Sequence, residues 1–386
     1  MADIHDCDVA IVGGGLAGSL IALALAEKRP ELSLLLIEAG EAIGGDQLWS
    51  FLDAEVAKDD RWLLTPLVSH AWPAYDVSFP GHARVLNQPV YAIEGARLER
   101  ALRARLPQAA MMTGRRVQSV TATSVSFPEG DRIEARGVID ARGAGDLSAL
   151  ETGWRKSLAR VLEVEGGHGM TRPMLMDAAV TQHDGCRFVR CLPLSDTRVF
   201  VEDGYFSDTA AINAGALNRR IEGYAESRGW RVLDSGGEER GALPLAMGGD
   251  FEVYWRAGGA RVAKAGVRGG MFHPATGHAL ADAVRLAVRI AGAEDLSGEA
   301  LHNLTHDHAR DLWEARGFYR LFSAMLFRAA NPDVRWRVPE HLYRQPGAMV
   351  TRFIAARSTF SDKARVLSGK RPVPFWRAVK VARRIA

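Results

Sequence analysis

The chain has 386 residues, a net charge of +3, 47% hydrophobic and 25% charged residues, a usage that excludes a disordered chain and predicts one large or two interlocked domains around a sizeable core. Three scattered cysteines, Cys7, Cys186 and Cys191, are too few for a disulfide framework or a cysteine-rich metal site and fit a reducing cytoplasm. The opening MADIHDCDVA has no positive region before its first apolar run, unlike a secretory signal, and Glu27, Lys28 and Arg29 stop the longest N-terminal apolar candidate short of the ~20 residues of a membrane span.

The first elements are the most informative. Asp8 to Val12 reads as a short apolar strand, Ser19 to Lys28 as an Ala- and Leu-rich helix, and Leu32 to Ile37 as a second strand that ends at Glu38. Between strand and helix stand Gly13, Gly14, Gly15, Leu16, Ala17 and Gly18. Gly13 permits the tight turn, Gly15 lets the backbone approach a pyrophosphate, and Gly18 lets helix and strand pack closely. The phosphate then meets unpaired N–H groups at the helix N-terminus. Glu38, twenty residues after Gly18, is placed to accept hydrogen bonds from an adenosine ribose and would repel the extra phosphate of NADP. The unit predicts a dinucleotide and leaves NAD and FAD open.

Two later stretches bear on that choice. A strand over Gly137 to Ile139 ends in Asp140 with a glycine-containing turn behind it, where Arg142 could pair with a cofactor or orient the turn. The loop Gly266 to Gly277, including Gly270 and Thr276, precedes a periodic helix over about His278 to Ile290. This late return resembles FAD proteins related to aromatic hydroxylases, in which such a loop approaches the pyrophosphate, ribityl chain and flavin. The resemblance favours FAD.

In the middle, Arg187 to Leu192 and Thr197 to Glu202 read as strands of a hairpin turning at Ser195-Asp196, and Asn213 to Arg228 as a helix. The last third reads as helical over Leu301 to Met325 and Thr351 to Leu367, interrupted near Pro332, Pro339 and Pro346. Its many aromatics suit a core or the lining of an apolar pocket. From Lys363 to Arg384 the tail holds Lys363, Arg365, Lys370, Arg371, Arg377, Lys380, Arg383 and Arg384 with no acidic residue, interleaved with Val366, Leu367, Val373, Phe375, Trp376, Val379 and Val381. Two readings stay open: a segment on an anionic membrane surface, with roughly 1 kcal/mol of attraction per basic residue, or a solvated helix docked by its apolar residues. No binding motif supports nucleic acid.

Beyond the flavin motifs, the chain resembles the bacterial-type lycopene β-cyclases. The resemblance rests on DVAIVGGGLAGSLIALAL, GGDQLWSF from Gly44, VIDARG from Val138, CLPLSDTRVFVEDGYFSD from Cys191, GGMFHPATGHAL from Gly269, FYRLFSAMLFRAANPDVRWRV from Phe318 and TRFIAARSTFSDKARVLSGKRPVPF from Thr351. The chain departs from the family pattern at Gln47-Leu48 and at His278. The resemblance implies an α/β architecture: a Rossmann-like FAD-binding domain of the aromatic-hydroxylase type in residues 1–150, a sheet-based substrate domain in 151–260, completion of the FAD domain in 261–295, and a helical, membrane-facing region in 296–386.

It also implies redox-neutral, acid-base closure of the ψ end groups of lycopene to β-ionone rings, through γ-carotene to β-carotene. Reduced FAD would be required, with NAD(P)H as electron donor. The implied partners are lycopene and related acyclic carotenoids, the cytoplasmic face of the bacterial inner membrane as a peripheral site, and other enzymes of the carotenoid pathway. The cofactor residues are Gly13, Gly15, Leu16, Ala17, Gly18, Glu38, Asp140, Gly270, Thr276 and Gly277. Glu202 is the first choice for the catalytic carboxyl and Asp203 supports it; a strand would point the two to opposite faces, and a plain capping turn is the alternative. Burial is expected to raise the carboxyl pKa and keep it protonated for the first step. Trp49 and Phe51 face flavin, polyene or core. His273 and His278 lack a third convergent ligand, so no metal site is expected. The rival readings are an FAD-dependent hydroxylase or reductase of another isoprenoid or aromatic substrate, and a nonenzymatic flavin-binding or membrane-adaptor protein.

Overall fold

The computed structural model describes residues 4–45, 47–183, 185–367, 373, 376, 377, 380 and 381. The strand Ile4–Val12 lies between Leu34–Ile37 and Arg132–Asp140, parallel to both, and the short strand Ala263–Lys264 joins the far side of Asp140. Leu34–Ile37 and Arg132–Asp140 follow the sequence reading with shifted ends. The helix Leu16–Lys28 buries every residue from Gly18 to Leu25 because it sits between this sheet and the helix Leu280–Ala291. Such an enclosed helix needs an apolar surface all round.

Gly13 and Gly18 explain the tightness of the first turn. Gly13 has φ +112°, and a Cβ there would lie 2.8 Å from the Ala141 backbone; one on Gly18 would lie 2.0 Å from the carbonyl oxygen of Gly13. The role foreseen for Gly18 in close packing is therefore met by its surroundings.

A second sheet runs Val232–Gly249, Leu150–Val164, Arg198–Ser207, Cys186–Pro193, Met174–Asp177, Tyr75–Phe79 and His82–Leu86. The hairpin expected around Ser195-Asp196 forms its centre, with Arg190 opposite Glu202 and Val189 opposite Asp203. Two of its strands come from before residue 150. A division that assigns residues 1–150 wholly to the nucleotide unit therefore does not match the sheets. The cause is topological: the chain leaves the first sheet after Ile37, contributes Tyr75–Phe79 to the second, and returns.

Both faces of the second sheet are covered. Phe188, Phe200 and Phe206 pack toward the C-terminal helices, whereas Val189, Val201 and Tyr205 pack toward the helix Ala214–Ser227. Side chains of either parity are thus inside the protein. A three-stranded sheet of Leu48–Leu52, Val90–Glu94 and His70–Trp72 bridges the two larger units.

The C-terminal helices break where the sequence pattern ran on. Residues 301–325 divide into Gly298–Ala315 and Gly317–Ala324, followed by a π-helical turn at Met325–Ala329. At the break Arg316 turns inward and makes two 2.6 Å hydrogen bonds to buried Asp282, with a third to the carbonyl of Phe272. Residues 351–367 divide likewise into Gly347–Ile354 and Phe360–Leu367, separated by Ala356 at φ 55°. Of the basic tail, Lys370, Arg371, Phe375, Val379, Arg383 and Arg384 lie outside the described residues.

The Asp282–Arg316 pair joins the late nucleotide-side helix to the C-terminal helices. Burial works against charge on Asp282, but Arg316 overcomes it and holds the carboxyl below its ordinary value. Asp282→Asn would leave the Arg316 guanidinium uncompensated in the interior, so we expect a loss of about 3–5 kcal/mol in urea unfolding. A loss under 1 kcal/mol would contradict the tie.

Candidate active site

Two cavities meet inside the molecule. The larger, a cleft of about 2080 Å³, runs along the first glycine turn; the smaller, an apolar pocket of about 890 Å³, lies between the second sheet and the C-terminal helices. Ser50, Arg155, Arg190 and His278 border both. They form the wall across which anything in the cleft would face anything in the pocket.

Gly13, Gly15, Leu16, Ala17, Glu38 and Gly277 line the cleft together, as do Arg115, Arg116 and Arg142. The helix Leu16–Lys28 starts at Gly15 with no side-chain cap, and the position of a Cβ on Gly15 is open space. An uncapped helix end with a bare approach and flanking arginines fits an anionic dinucleotide. Glu38 stands at the cleft, its two oxygens accepting the N–H groups of Gly14 at 2.6 Å and Gly40 at 2.8 Å.

Other expected cofactor residues lie elsewhere. Asp140 is fully buried away from the cleft lining and accepts hydrogen bonds from Arg142 and Arg268, at 2.7–2.9 Å. It orients those arginines, because a buried carboxylate needs paired cations. Gly270 makes a left-handed turn against the Tyr254 ring, 3.3 Å from the position of its Cβ, and does not line the cleft. Thr276 faces the apolar pocket instead. Trp49 borders the cleft and Phe51 the pocket.

The expected carboxyls separate by strand parity. Glu202 points to the cleft side and Asp203 to the opposite face, where Arg187 donates to it at 2.8 Å and Arg220 stands 3.8 Å away. Asp203 borders neither cavity. Its supporting place in catalysis is thereby replaced by a tie between the hairpin and the helix Ala214–Ser227.

Glu202 departs from expectation in its charge. Arg155 donates to Oε1 at 2.8 Å and Arg190 Nε lies 2.5 Å from Oε2, all three residues being buried. Burial opposes the charge, but Arg155 and Arg190 outweigh it and hold the carboxyl down at about 2. Attraction to two guanidinium groups at contact distance exceeds the cost of desolvation. Glu202 is a carboxylate at neutral pH. Arg190 also donates to Ser50 at 2.7 Å, fixing the strand that passes from cleft to pocket.

Sequence reasoning missed Arg155 and Arg190. A signal was present: Arg190 interrupts the apolar strand FVRCL, and a charge in a strand buried on both faces calls for a counter-charge on its neighbour. Glu239, also at the cleft, accepts the N–H of Leu48 at 3.1 Å, and burial followed by the charge of Glu202 raises its pKa.

The two histidines do not converge on a metal. His273 is tied to the backbone through Phe353 and Ala275, and burial lowers its pKa to about 3. His278 is half-buried, its Nδ1 enclosed and unpartnered, and burial, Arg155 and Arg190 keep it neutral. Among the described residues no group of three or more His, Cys, Asp and Glu side chains could hold a metal ion.

The lycopene cyclase protein family model matches residues 8–380. The chain is 41% identical to a lycopene beta-cyclase of Pseudescherichia vulneris, covering 96% of each chain, and 37% identical to that of Pantoea ananas, covering 97% of each. In fold it is similar to a geranylgeranyl bacteriochlorophyll reductase-like protein of Thermoplasma acidophilum, with TM-score 0.62, 16% identity and full coverage of both chains. It is also similar to Klebsiella pneumoniae HpxO, solved with FAD and uric acid, with TM-score 0.62, 16% identity and coverage of 91% of this chain and 96% of that one. The fold is the Rossmann-like flavoprotein type foreseen from the glycine loops.

The depressed pKa of Glu202 sets a sign for stability. Its ion pairs stabilise the fold above the ordinary value of 4.5 and are lost as pH falls from there toward about 2. Glu202→Gln leaves two buried guanidinium groups without their counter-ion and should cost about 3–5 kcal/mol at pH 7. In urea titrations the gap between wild type and variant should narrow below pH 4.5. A gap constant down to pH 3 would contradict an ionised Glu202.

Proposed function

The chain belongs to the lycopene cyclase family, and from that premise we propose that it is a lycopene β-cyclase holding FAD in the glycine-lined cleft and a ψ end group of lycopene in the apolar pocket. The observation that carries this reading is the shared wall: an aromatic pocket opens beside a dinucleotide-type cleft across Ser50, Arg155, Arg190 and His278, with the carboxylate of Glu202 held by both arginines on the cleft side. A hydrocarbon end group suits a pocket lined by Phe188, Phe206, Phe322 and Phe353.

Ring closure requires a proton added at C2 of the 1,2 double bond, attack of the 5,6 double bond on C1, and loss of a proton from C6. The intermediate cations are trapped by water unless water is excluded, which the pocket's aliphatic and aromatic walls do. Aromatic faces add attraction for the positive charge. Glu202, held ionised, cannot supply the first proton; it opposes the cation and takes the C6 proton. A carboxylate with so low a pKa is a weak base, yet a C–H beside a tertiary cation needs no stronger one.

Gly13, Gly15, Leu16, Ala17, Glu38 and Gly277 would hold the cofactor, with Arg115, Arg116 and Arg142 offsetting phosphate charge. Reduced FAD would supply negative charge near the developing cation, and NAD(P)H its electrons, without net oxidation of the carotenoid. Residues 1–150 and 261–295 would serve the cofactor chiefly, apart from the two strands given to the second sheet. The remainder would serve the substrate.

Among the described residues no helix is long and apolar enough to cross a membrane. Leu367 and Trp376 are exposed within the basic tail and Phe360 just before it, which supports docking on the cytoplasmic face of the bacterial inner membrane, close to other carotenoid enzymes. Salt-reversible sedimentation with anionic vesicles is the check, and its absence would remove the docking.

The test of activity is anaerobic incubation with lipid-dispersed lycopene and chemically reduced FAD. Cyclic products of unchanged mass are expected. Oxygenated or hydrogenated products would favour the hydroxylase or reductase reading. Glu202→Gln should keep bound FAD and lose cyclisation at least about 100-fold; near-wild-type turnover would remove Glu202 from the proton transfer.

A further inference from the structure

If Glu202 is ionised, the first proton has to come from another group. Glu55 stands at the end of a 3-10 turn, Asp53–Glu55, that follows directly on the strand Leu48–Leu52. That stretch of chain passes from one cavity into the other: Ser50 borders both, and Phe51, Leu52 and Glu55 border the apolar pocket. Glu55 is 4% exposed and forms no salt bridge among the described residues. Its Oε1 accepts the N–H of Leu52 at 2.7 Å, the one hydrogen bond of its carboxyl among the described residues.

A helix cap accounts for one oxygen only. A glutamine would cap the turn as well without the burden of a buried ionisable group. We propose that Glu55 is the proton donor of the cyclisation, delivering its carboxyl proton to C2 of a ψ end group in the apolar pocket. This rests on the cyclase reading and assigns the acid that the reading lacks.

The surroundings of Glu55 differ from those of Glu202 in the direction this role needs. Burial comes first and pushes the carboxyl up to about 7, against the Leu52 N–H and Arg285, with the charge of Asp282 adding to the rise. Arg285 donates to the backbone oxygen of Glu55, at 3.1 Å, and to Asp282 at 2.7 Å. Asp282 is itself held by Arg316. Tyr343 and Tyr75, which face Glu55 from the C-terminal helices and the second sheet, are kept un-ionised by burial. Two carboxyls with pKa values forced apart, one by arginines and one by an apolar pocket, are the usual division into acid and base.

The step balances without a redox partner. The O–H bond of Glu55 breaks as the 1,2 π pair forms the new C2–H bond, leaving a cation at C1 and a carboxylate on Glu55. The 5,6 π pair forms the C1–C6 bond and moves the charge to C5. The C6–H pair then restores the 5,6 double bond as the proton passes to Glu202. Glu202 releases that proton to water at the cleft, and Glu55 takes one back before the next turnover.

Two variants and a pH profile of the wild type, all measured with chemically reduced FAD, test this. Glu55→Gln keeps the Leu52 acceptor and should retain bound FAD and KM while turnover falls at least about 100-fold. Glu55→Ala should regain activity in formate buffer, increasingly as pH falls and more of the added acid is protonated. Wild-type turnover should fall as pH rises through about 7, the donor being needed in its protonated form, and the residual Glu55→Gln turnover should lack that fall. A Gln variant within threefold of wild type overturns the proposal. So does a loss of turnover that travels with lost FAD or a raised KM, which marks Glu55 as structural. Wild-type protein that makes no cyclic isomer fails differently, because it overturns the cyclase reading itself.

Discussion

The interior of this protein is organised around one buried charge cluster, Arg155–Glu202–Arg190. Two cations and one anion removed from water are held at contact distance, Arg155 through a hydrogen bond and Arg190 through an ion pair, and Arg190 also donates to Ser50. Its two arginines, with Ser50 and His278, form the partition between a polar cleft and an apolar pocket, and Glu202 lines the cleft side. It also bears on the protonation of what surrounds it: its arginines hold Glu202 ionised, burial and then the charge of Glu202 raise Glu239, and burial with the two arginines keeps His278 neutral.

The architecture makes that cluster possible. A sheet covered on both faces can bury a charge on either side, and strand parity then allots Glu202 to the cleft and Asp203 to the helix behind. The strand Leu48–Leu52 connects the partition to both cavities through Ser50. The Asp282–Arg316 pair ties the nucleotide side to the helices that roof the pocket. A fold similar to that of a p-nitrophenol 4-monooxygenase and of HpxO, solved with FAD and uric acid, thereby acquires an apolar pocket beside its cleft.

What was legible in the sequence had local causes. The turn from Gly13 to Gly18 follows from backbone space, the hairpin at Ser195-Asp196 from apolar runs around a polar turn, and the opposite directions of Glu202 and Asp203 from strand alternation. What escaped depended on distant partners. The low pKa of Glu202 needs Arg155, 47 residues away in sequence, and burial alone pointed the other way. Asp140, at the end of a strand like an acid that meets a cofactor, is instead claimed by Arg268, 128 residues on. Gly270 serves a turn against Tyr254. Glu55 carried no motif, since its distinction is the company it keeps in space.

Between turnovers Glu202 rests as a carboxylate and gains a proton only when it takes one from the substrate, so that acid and base are different residues. Infrared difference spectra of wild type against Glu202→Gln, with carboxyl carbons isotopically labelled and pH stepped from 4 to 9, test it directly. A carboxylate band for Glu202 unchanged over the whole range is expected. A protonated carboxyl band that belongs to Glu202 and titrates within that range would contradict it.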